Sequence, residues 1–194
     1  MRDSWVRETA LPYLKKHLTR ERLGHTMAVS LLSERLARKH GLNHNKARLA
    51  GLLHDVAKCK SGKALVRYAL KYKLRPPNFE ETCRQRPKML HAYVGAHLAR
   101  RVLKVRDKQI LSAIAKHTLG SDKMSGLDKC VFMADLASYD RKYDGAKTLR
   151  QYAMKNLDKA FVEGLRLKLK NTLRDREWLH PESVRVWNFW GPKE

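Results

Sequence analysis

The seven residues from Leu52 to Lys58 read LLHDVAK, and the rest of the chain is organised around them. An imidazole and a carboxylate stand side by side at the end of an apolar helical run, and Lys58 follows one turn later. Adjacent His and Asp can present one nitrogen and up to two oxygens to a metal ion. A buried His paired with a neighbouring acid at a helix end would give the same pattern. The dipeptide alone favours that structural interpretation, so the decision depends on further ligands elsewhere.

Apolar residues outside this stretch recur at helical rather than strand spacing. Val29, Leu32 and Leu36 share one face of a helix predicted from about Glu21 to His40, with Thr19 as its N-cap. Gly41 is predicted to end this helix, Asn43 or Asn45 to start the next one, and Asp107 to cap a later one. Similar patterns follow along the chain, and Gly and Pro are sparse. The proline-rich segment from Arg75 to Lys88 is predicted to be either a functional loop or lid that carries a short helix, or a plain connector. We therefore predict an all-α fold.

Polar residues with ligand chemistry interrupt the apolar stripes of four predicted helices. They are His25, His54, His117 and Asp135; Asp55 adjoins one of them, and His91 heads a further helix. A lone His on an apolar face is usually a satisfied core residue. An ionised carboxylate in the interior, in contrast, requires a partner charge or a metal. Four His and two Asp from several helices would form one polar cluster, as the metal sites of helical bundles do.

The predicted ligand set contains nitrogen and oxygen but no thiolate. That chemistry disfavours structural zinc and suits Fe, Mn, Co or catalytic Zn. Six ligands exceed what one ion with an open position can use, so we expect two ions about 3.5–4 Å apart. Asp55 and a hydroxide would bridge them, and the hydroxide would be the nucleophile. Lys58 would be a cation that contacts a phosphate group of a substrate at this site, or else a solvent-facing Lys at a helix end.

The amino-acid composition limits which partners the protein can bind and in which cellular compartment it is expected. The chain has 42 Lys and Arg against 19 Asp and Glu, a net charge of +23. Such a charge attracts nucleic acid, nucleoside polyphosphates or anionic membranes, and composition alone leaves the first two equal. No apolar run reaches the ~18 residues that a membrane span needs. Three unpaired Cys and an N-terminus without a secretory signal predict a cytoplasmic protein, and the aromatic C-terminus is compatible with a homodimer.

These residues carry a family resemblance. His25, His54-Asp55 and Asp135 resemble the H…HD…D signature of the HD-domain metal-dependent phosphohydrolases, and His91 with His117-Thr118 make the sequence similar to the YqeK family. The resemblance covers about Leu18 to Trp190. It implies an HD-domain helical bundle with a di-iron centre in its core, which cleaves diadenosine tetraphosphate symmetrically to two ADP. The implied metal ligands are His25, His54, Asp55, His91, His117 and Asp135.

The resemblance also implies substrate contacts: Arg22, Lys58 and Thr118 with phosphate, and Arg141 with phosphate or base. Asp55 and Lys58 are the predicted catalytic residues. We predict a single domain over residues 1–194, with a metal-binding core at about 18–140 and C-terminal helices and an aromatic tail at about 146–190. The chain departs from the family pattern after His91, after Thr118 and after Asp135, around the pocket rather than at a ligand.

Two alternatives stay open at this point. One is an HD phosphohydrolase that acts on another nucleotide: a nucleoside triphosphate or monophosphate, a guanosine polyphosphate or a cyclic nucleotide. The other is a basic protein that associates with nucleic acid or the ribosome and retains the metal site.

Overall fold

The computed structural model describes residues 3–191, and within that range it contains helices and no strands. Residues 1–2 and 192–194, which the predicted domain 1–194 includes, lie outside the described residues. The α-helices are α1 Asp3–Trp5, α2 Leu11–His17, α3 Arg20–Lys39, α4 His44–Leu53, α5 Gly62–Lys71, α6 Phe79–Gln85, α7 His91–Arg101, α8 Lys108–Lys116, α9 Gly126–Ala137, α10 Ala146–Lys155, α11 Leu157–Arg174 and α12 Pro181–Trp190. A π-helical turn, Val6–Ala10, joins α1 to α2, and a 3-10 turn, Pro87–Leu90, precedes α7.

Side-chain caps set the start of several helices where the sequence predicts them. Thr19 accepts a hydrogen bond from the backbone N–H of Arg22 at 3.2 Å, and α3 therefore begins one residue earlier than predicted. Asn43 caps α4 and Asp107 caps α8 in the same way. Each cap satisfies N–H groups that have no partner inside the helix. At the other end of α3, Gly41 has a φ of +66°, which the predicted C-terminal glycine requires.

Helices α3, α4, α8 and α9 pack together and form the part of the core that surrounds the polar cluster. Gly51 allows α4 to approach α3 closely. A Cβ atom at this position would lie 2.9 Å from the Cα of Ser30 and 3.0 Å from the carbonyl oxygen of Val29. The residues that follow α4 are thereby held beside the first turns of α3.

The C-terminal segment is helical, which the sequence pattern did not predict. His180 caps α12 by accepting a hydrogen bond from the N–H of Glu182 at 3.0 Å. The ring of Trp190 meets that of Phe161 edge-on, with centroids 5.7 Å apart, so the predicted aromatic tail packs back onto α11. His180 also contacts Thr82 in the short helix α6, where the Nε2 to Oγ1 distance is 2.9 Å. No helix within residues 3–191 is long and apolar enough to cross a bilayer.

Candidate metal centre

The structure brings all six predicted ligands into one buried cluster. His25 comes from α3, and His54 and Asp55 follow α4. His91 begins α7, His117 follows α8, and Asp135 lies in the last turn of α9. Their ligand atoms form three overlapping groups, each within 4.8 Å: His25, His54 and Asp55; His54, His117 and Asp135; Asp55, His91 and His117. The expectation that these side chains lie together is met; their role as ligands stays a prediction.

Three of the imidazoles are oriented by the same kind of local hydrogen bond to the backbone. In His54, His91 and His117 the Nδ1 atom lies 2.7–2.8 Å from the backbone carbonyl oxygen three residues earlier. A carbonyl can only accept, so Nδ1 carries the proton in each ring. The Nε2 atom then turns an unshared electron pair towards the cluster, as a metal-binding imidazole must.

The protonation states also suit metal binding. Burial lowers the pKa of His54 and of His91 to about 4, so both rings are neutral at pH 7. Burial acts to raise the pKa of Asp55, but the surrounding imidazoles and Lys58 outweigh it and hold the pKa well below its usual range. Asp135 behaves in the same way, chiefly because His25 hydrogen-bonds to it. His54 and His91 are therefore in the neutral form that binds cations, beside ionised carboxylates; burial acts to lower the pKa of His25, but hydrogen bonds to Asp135 and Asp140 raise it, so this ring would release a proton when a cation binds.

The cluster is rich in acceptors that face one another. The Nε2 atoms of His91 and His117 are 3.1 Å apart, although neither has a proton to share. Asp55 Oδ1 lies 3.3 Å from the same atom of His91. Among the described residues, His54 Nε2 and Asp55 Oδ1 are buried without a hydrogen-bond partner. Such an arrangement is unfavourable unless a cation enters it. The residues therefore fit a divalent metal centre with nitrogen and oxygen ligands.

Asp55 stands between two halves of the cluster. Its Oδ1 lies 3.3 and 3.6 Å from the Nε2 atoms of His91 and His117. Its Oδ2 lies 3.6 Å from His54 Nε2, on the side of the remaining two ligands, His25 and Asp135. The carboxylate therefore has one oxygen directed towards each half of the cluster, which is the geometry expected of a bridging ligand.

The predicted substrate contacts surround the cluster. Arg22 Nη1 donates to Asp55 Oδ2 at 3.0 Å, and Arg141 Nη2 donates to Asp135 Oδ1 at 2.8 Å. Lys58 Nζ lies 3.1 Å from His91 Nε2, and Thr118 Oγ1 lies 3.0 Å from the Nε2 of the neighbouring His117. The side chains of the two Arg and the Lys are 33–37% exposed, so these cations border the open side of the cluster.

Two further residues at the site were not found from the sequence. Asp140 accepts a hydrogen bond from His25 Nδ1 at 2.7 Å and so orients that ring from behind. Lys168 of α11 donates to the carbonyl oxygen of Thr118 at 2.6 Å, and burial together with nearby cations lowers its pKa to about 8. Lys168 falls at helical spacing after the buried Phe161 and Leu165, the signal that singled out Asp135. Asp140 lies in a polar turn without any such signal.

A groove leads away from the cluster along α11. It has a volume of about 340 Å³, and Asp135, Arg141, Tyr143, Lys168 and Asn171 are among the residues that line it. Cationic, amide and aromatic groups are thus present on one open path that begins at a predicted metal ligand. Cations can contact the phosphates of a nucleotide, and amide and aromatic groups can contact its base.

A family model described as HD domain matches residues 22–160, a range that includes every one of the six clustered residues. The chain belongs to the HD domain family. This match and the relatives described next confirm the resemblance to the YqeK family. The HD fold and its divalent-metal dependence follow from the family, and the cluster is the part of the chain able to bind such metal.

Named relatives match nearly the whole chain. The symmetrical bis(5'-nucleosyl)-tetraphosphatase of Halalkalibacterium halodurans is 31% identical over 182 residues, which are 94% of this chain and 95% of the relative. The protein of the same name from Bacillus subtilis is 29% identical over 94% of this chain and 96% of its own length. A crystal structure from Clostridium acetobutylicum, described as a predicted HD superfamily hydrolase involved in NAD metabolism, superposes with a TM-score of 0.89 at 29% identity, covering 95% of this chain and 96% of its own.

Proposed function

We propose that this protein is a metal-dependent hydrolase of dinucleoside polyphosphates, which cleaves diadenosine tetraphosphate symmetrically to two ADP. The observation that carries the proposal is the buried cluster of four His and two Asp, bordered by Arg22, Lys58 and Arg141. Relatives named for this activity match 94% of the chain, at 29–31% identity, and this supports the same substrate here.

The reaction breaks the central anhydride of the tetraphosphate. Water adds to one of the two inner phosphorus atoms, and the bond from that phosphorus to the central bridging oxygen breaks. The oxygen stays with the other half, so both halves leave as ADP and one proton is released. Bound divalent ions supply Lewis-acid charge to the phosphoryl group and lower the pKa of water towards neutrality.

The residues of the chain bind and position the substrate on both sides of that bond. Arg22 and Lys58 lie beside Asp55, whereas Arg141 and Lys168 lie beside Asp135. Each guanidinium now pairs with a carboxylate and can exchange that partner for a phosphate oxygen, to which Arg binds well. Cations on both sides would hold the two halves of a tetraphosphate equally, which favours a central cut.

We further propose that two metal ions occupy the cluster, most simply iron, with Mn, Co and Zn as the alternatives to test. His25, His54 and Asp135 would hold one ion, and His91 and His117 the other. Asp55 would bridge the two, since its two oxygens face different halves. The set of nitrogen and oxygen donors supports each of these metals.

The test is the product analysis of the metal-loaded protein with diadenosine tetraphosphate, together with elemental analysis of the purified protein. We expect two ADP for each substrate molecule and about two metal ions for each chain. Asp55→Asn should abolish both, whereas Glu8→Gln, which removes an exposed carboxylate from α1–α2, should change neither. Formation of ATP with AMP, or the absence of turnover with both ions bound, would contradict the proposal.

The remaining assignments are proposals of the same kind. We propose a cytoplasmic protein of one HD domain with a nucleotide substrate and no membrane partner. Exposed apolar residues near the C-terminus, such as Leu173 and Val184, support a homodimer, for which light scattering is the test. The net charge of +23 supports weak binding of nucleic acid to the surface of the protein.

A further inference from the structure

The positive charge is concentrated in one part of the chain. Residues 56–79 contain seven Lys or Arg and no Asp or Glu, and residues 82–106 contain another seven and again no acid. These two segments therefore carry fourteen of the twenty-three net positive charges in about a quarter of the chain. They include α5 and α7, which pack against each other, so the charges of these two helices share one region of the molecule.

A groove of about 540 Å³ lies at the C-terminal end of α7, within this region. We call it the basic groove; its lining is His97, Arg100, Arg101, Val102, Lys104 and Arg106. In residues 3–191 none of its Arg or Lys side chains pairs with a carboxylate, and Asp107, the nearest acid in sequence, pairs with Lys46 at 2.8 Å. The groove therefore presents uncompensated positive charge.

The backbone holds these charges in fixed positions. In the connector after α7, Leu103 and Val105 are buried, and the N–H of Val105 donates to the carbonyl oxygen of Ala99 at 3.0 Å. Lys104 between them has a φ of +58°, a left-handed conformation that is unusual for a residue other than glycine. The buried neighbours on either side fix this turn, so the backbone that carries Lys104 and Arg106 beside the groove need not be ordered on binding.

An aromatic cluster joins α5 to the groove. Tyr68 and Tyr72 contact the ring of His97, with centroids 5.6 and 4.9 Å apart, and the guanidinium carbon of Arg101 lies 4.6 Å above Tyr72. Lys71 also lies over Tyr72, at 5.7 Å. Cations placed over an aromatic ring are held there by its negative face. The positive charge of α5 is therefore continuous with that of the groove.

The groove is separate from the metal centre. Arg101 ends the helix that His91 begins, so the two residues are about 15 Å apart along the axis at 1.5 Å per residue. Arg100 also projects from the opposite side of α7 to His91, since nine residues make two and a half turns. The phosphates of a substrate held at the cluster do not need this groove.

From this geometry we infer that the basic groove binds the phosphodiester backbone of single-stranded nucleic acid. Evenly spaced phosphates match a set of guanidinium and ammonium groups that lacks carboxylate partners, and phosphate contacts of this kind give affinity without sequence specificity. The concave shape fits a strand better than the flat surface of an anionic bilayer. The inference does not rest on the proposed hydrolase activity, and the two can fail independently.

Fluorescence anisotropy with a labelled oligouridylate and a labelled oligothymidylate, each in a salt series, tests this inference. The groove variant carries Arg100→Gln, Arg101→Gln, Lys104→Gln and Arg106→Gln. The control variant removes the same charge from exposed residues elsewhere: Lys39→Gln, Lys147→Gln, Lys155→Gln and Lys159→Gln. Thermal melts and the hydrolysis rate establish that both variants fold.

We expect the wild-type protein to bind both oligonucleotides, and the difference between its two affinities to show whether RNA or DNA is the preferred ligand. The groove variant should bind at least about tenfold more weakly, and its salt slope should fall by about 3, since each phosphate contact contributes about 0.7 for single strands. The control should lose less than about twofold. Equal losses in both variants would assign the effect to overall charge and overturn the inference. Absence of binding by wild type, or binding to phosphatidylserine vesicles instead of the oligonucleotides, would overturn it as well.

Discussion

Replacement of Gly51 by Ala tests the contact that joins the fold to the site. The added Cβ would meet Ser33 Oγ at 2.7 Å, Ser30 Cα at 2.9 Å and the carbonyl oxygen of Val29 at 3.0 Å. The first of these can rotate away, but the other two belong to the backbone of α3. Helices α3 and α4 must therefore separate, and the cost should lie near the upper end of the about 1–3 kcal/mol that overpacking typically incurs.

A second effect acts in the opposite direction. Ala is a better helix former than Gly by about 1 kcal/mol, so the net destabilisation should be about 2 kcal/mol. For 194 residues the unfolding entropy is about 0.4 kcal/mol/K, so the melting temperature should fall by about 5 °C. Because the carbonyl of Gly51 orients His54, the variant should also bind metal more weakly than wild type.

Thermal unfolding followed by circular dichroism, with and without added metal, measures both effects. Gly24→Ala is the matched control, because Gly24 lies in α3 with no atom within 4 Å of the new Cβ. It should gain about 1 kcal/mol, or about 2 °C. A melting temperature for Gly51→Ala at or above that of wild type would refute the argument, as would equal destabilisation by both substitutions.

Three further perturbations test the cluster itself. Asp140→Asn weakens the hydrogen bond that orients His25 and should lower metal affinity about 10–100-fold in a chelator competition, as is typical when the hydrogen-bond partner of a metal ligand is removed. Asp144→Asn, in the same turn, should leave metal affinity unchanged. Lys168→Met should raise the KM for diadenosine tetraphosphate about tenfold or more, since a hydrogen bond to a charged group contributes about 1.5–3 kcal/mol, whereas the exposed Lys170→Met should leave it unchanged. Burial lowers the pKa of His54 to about 4, so the folded state binds fewer protons than the unfolded chain, and the metal-free protein should lose stability as the pH falls from about 6.5 towards 4.

For each of these three predictions, a specific result would contradict it. Equal metal affinity in the two Asp variants would remove Asp140 from the site. A fall in kcat at constant KM would show that Lys168 does not act through substrate binding. Melting temperatures of the metal-free protein that stay constant between pH 7 and pH 5 would show that the buried imidazoles take up protons in the fold as readily as in the unfolded chain.

The helices and the six clustered residues could be predicted from the amino-acid sequence, because both leave local signals. Thr19, Asn43 and Asp107 mark helix starts by hydrogen bonds to N–H groups two or three residues away. His25 and Asp135 stood out because helical periodicity calls for an apolar side chain at their positions. The helical nature of the tail was missed, because its aromatic residues suggested packing but His180 was not considered as a cap.

The contacts that these residues make with one another depend on how the helices pack. Asp55 Oδ1 faces the Nε2 atoms of His91 and His117 because the fold brings the start of α7 and the end of α8 beside the end of α4. Asp140 contacts His25 across 115 positions of the chain, and Lys168 reaches Thr118 across 50. Periodicity reports the face on which a residue lies within its own helix, but not the partner that another helix brings to it. The distances between helices, set by contacts such as that at Gly51, turn a pattern of polar residues into a site with defined geometry.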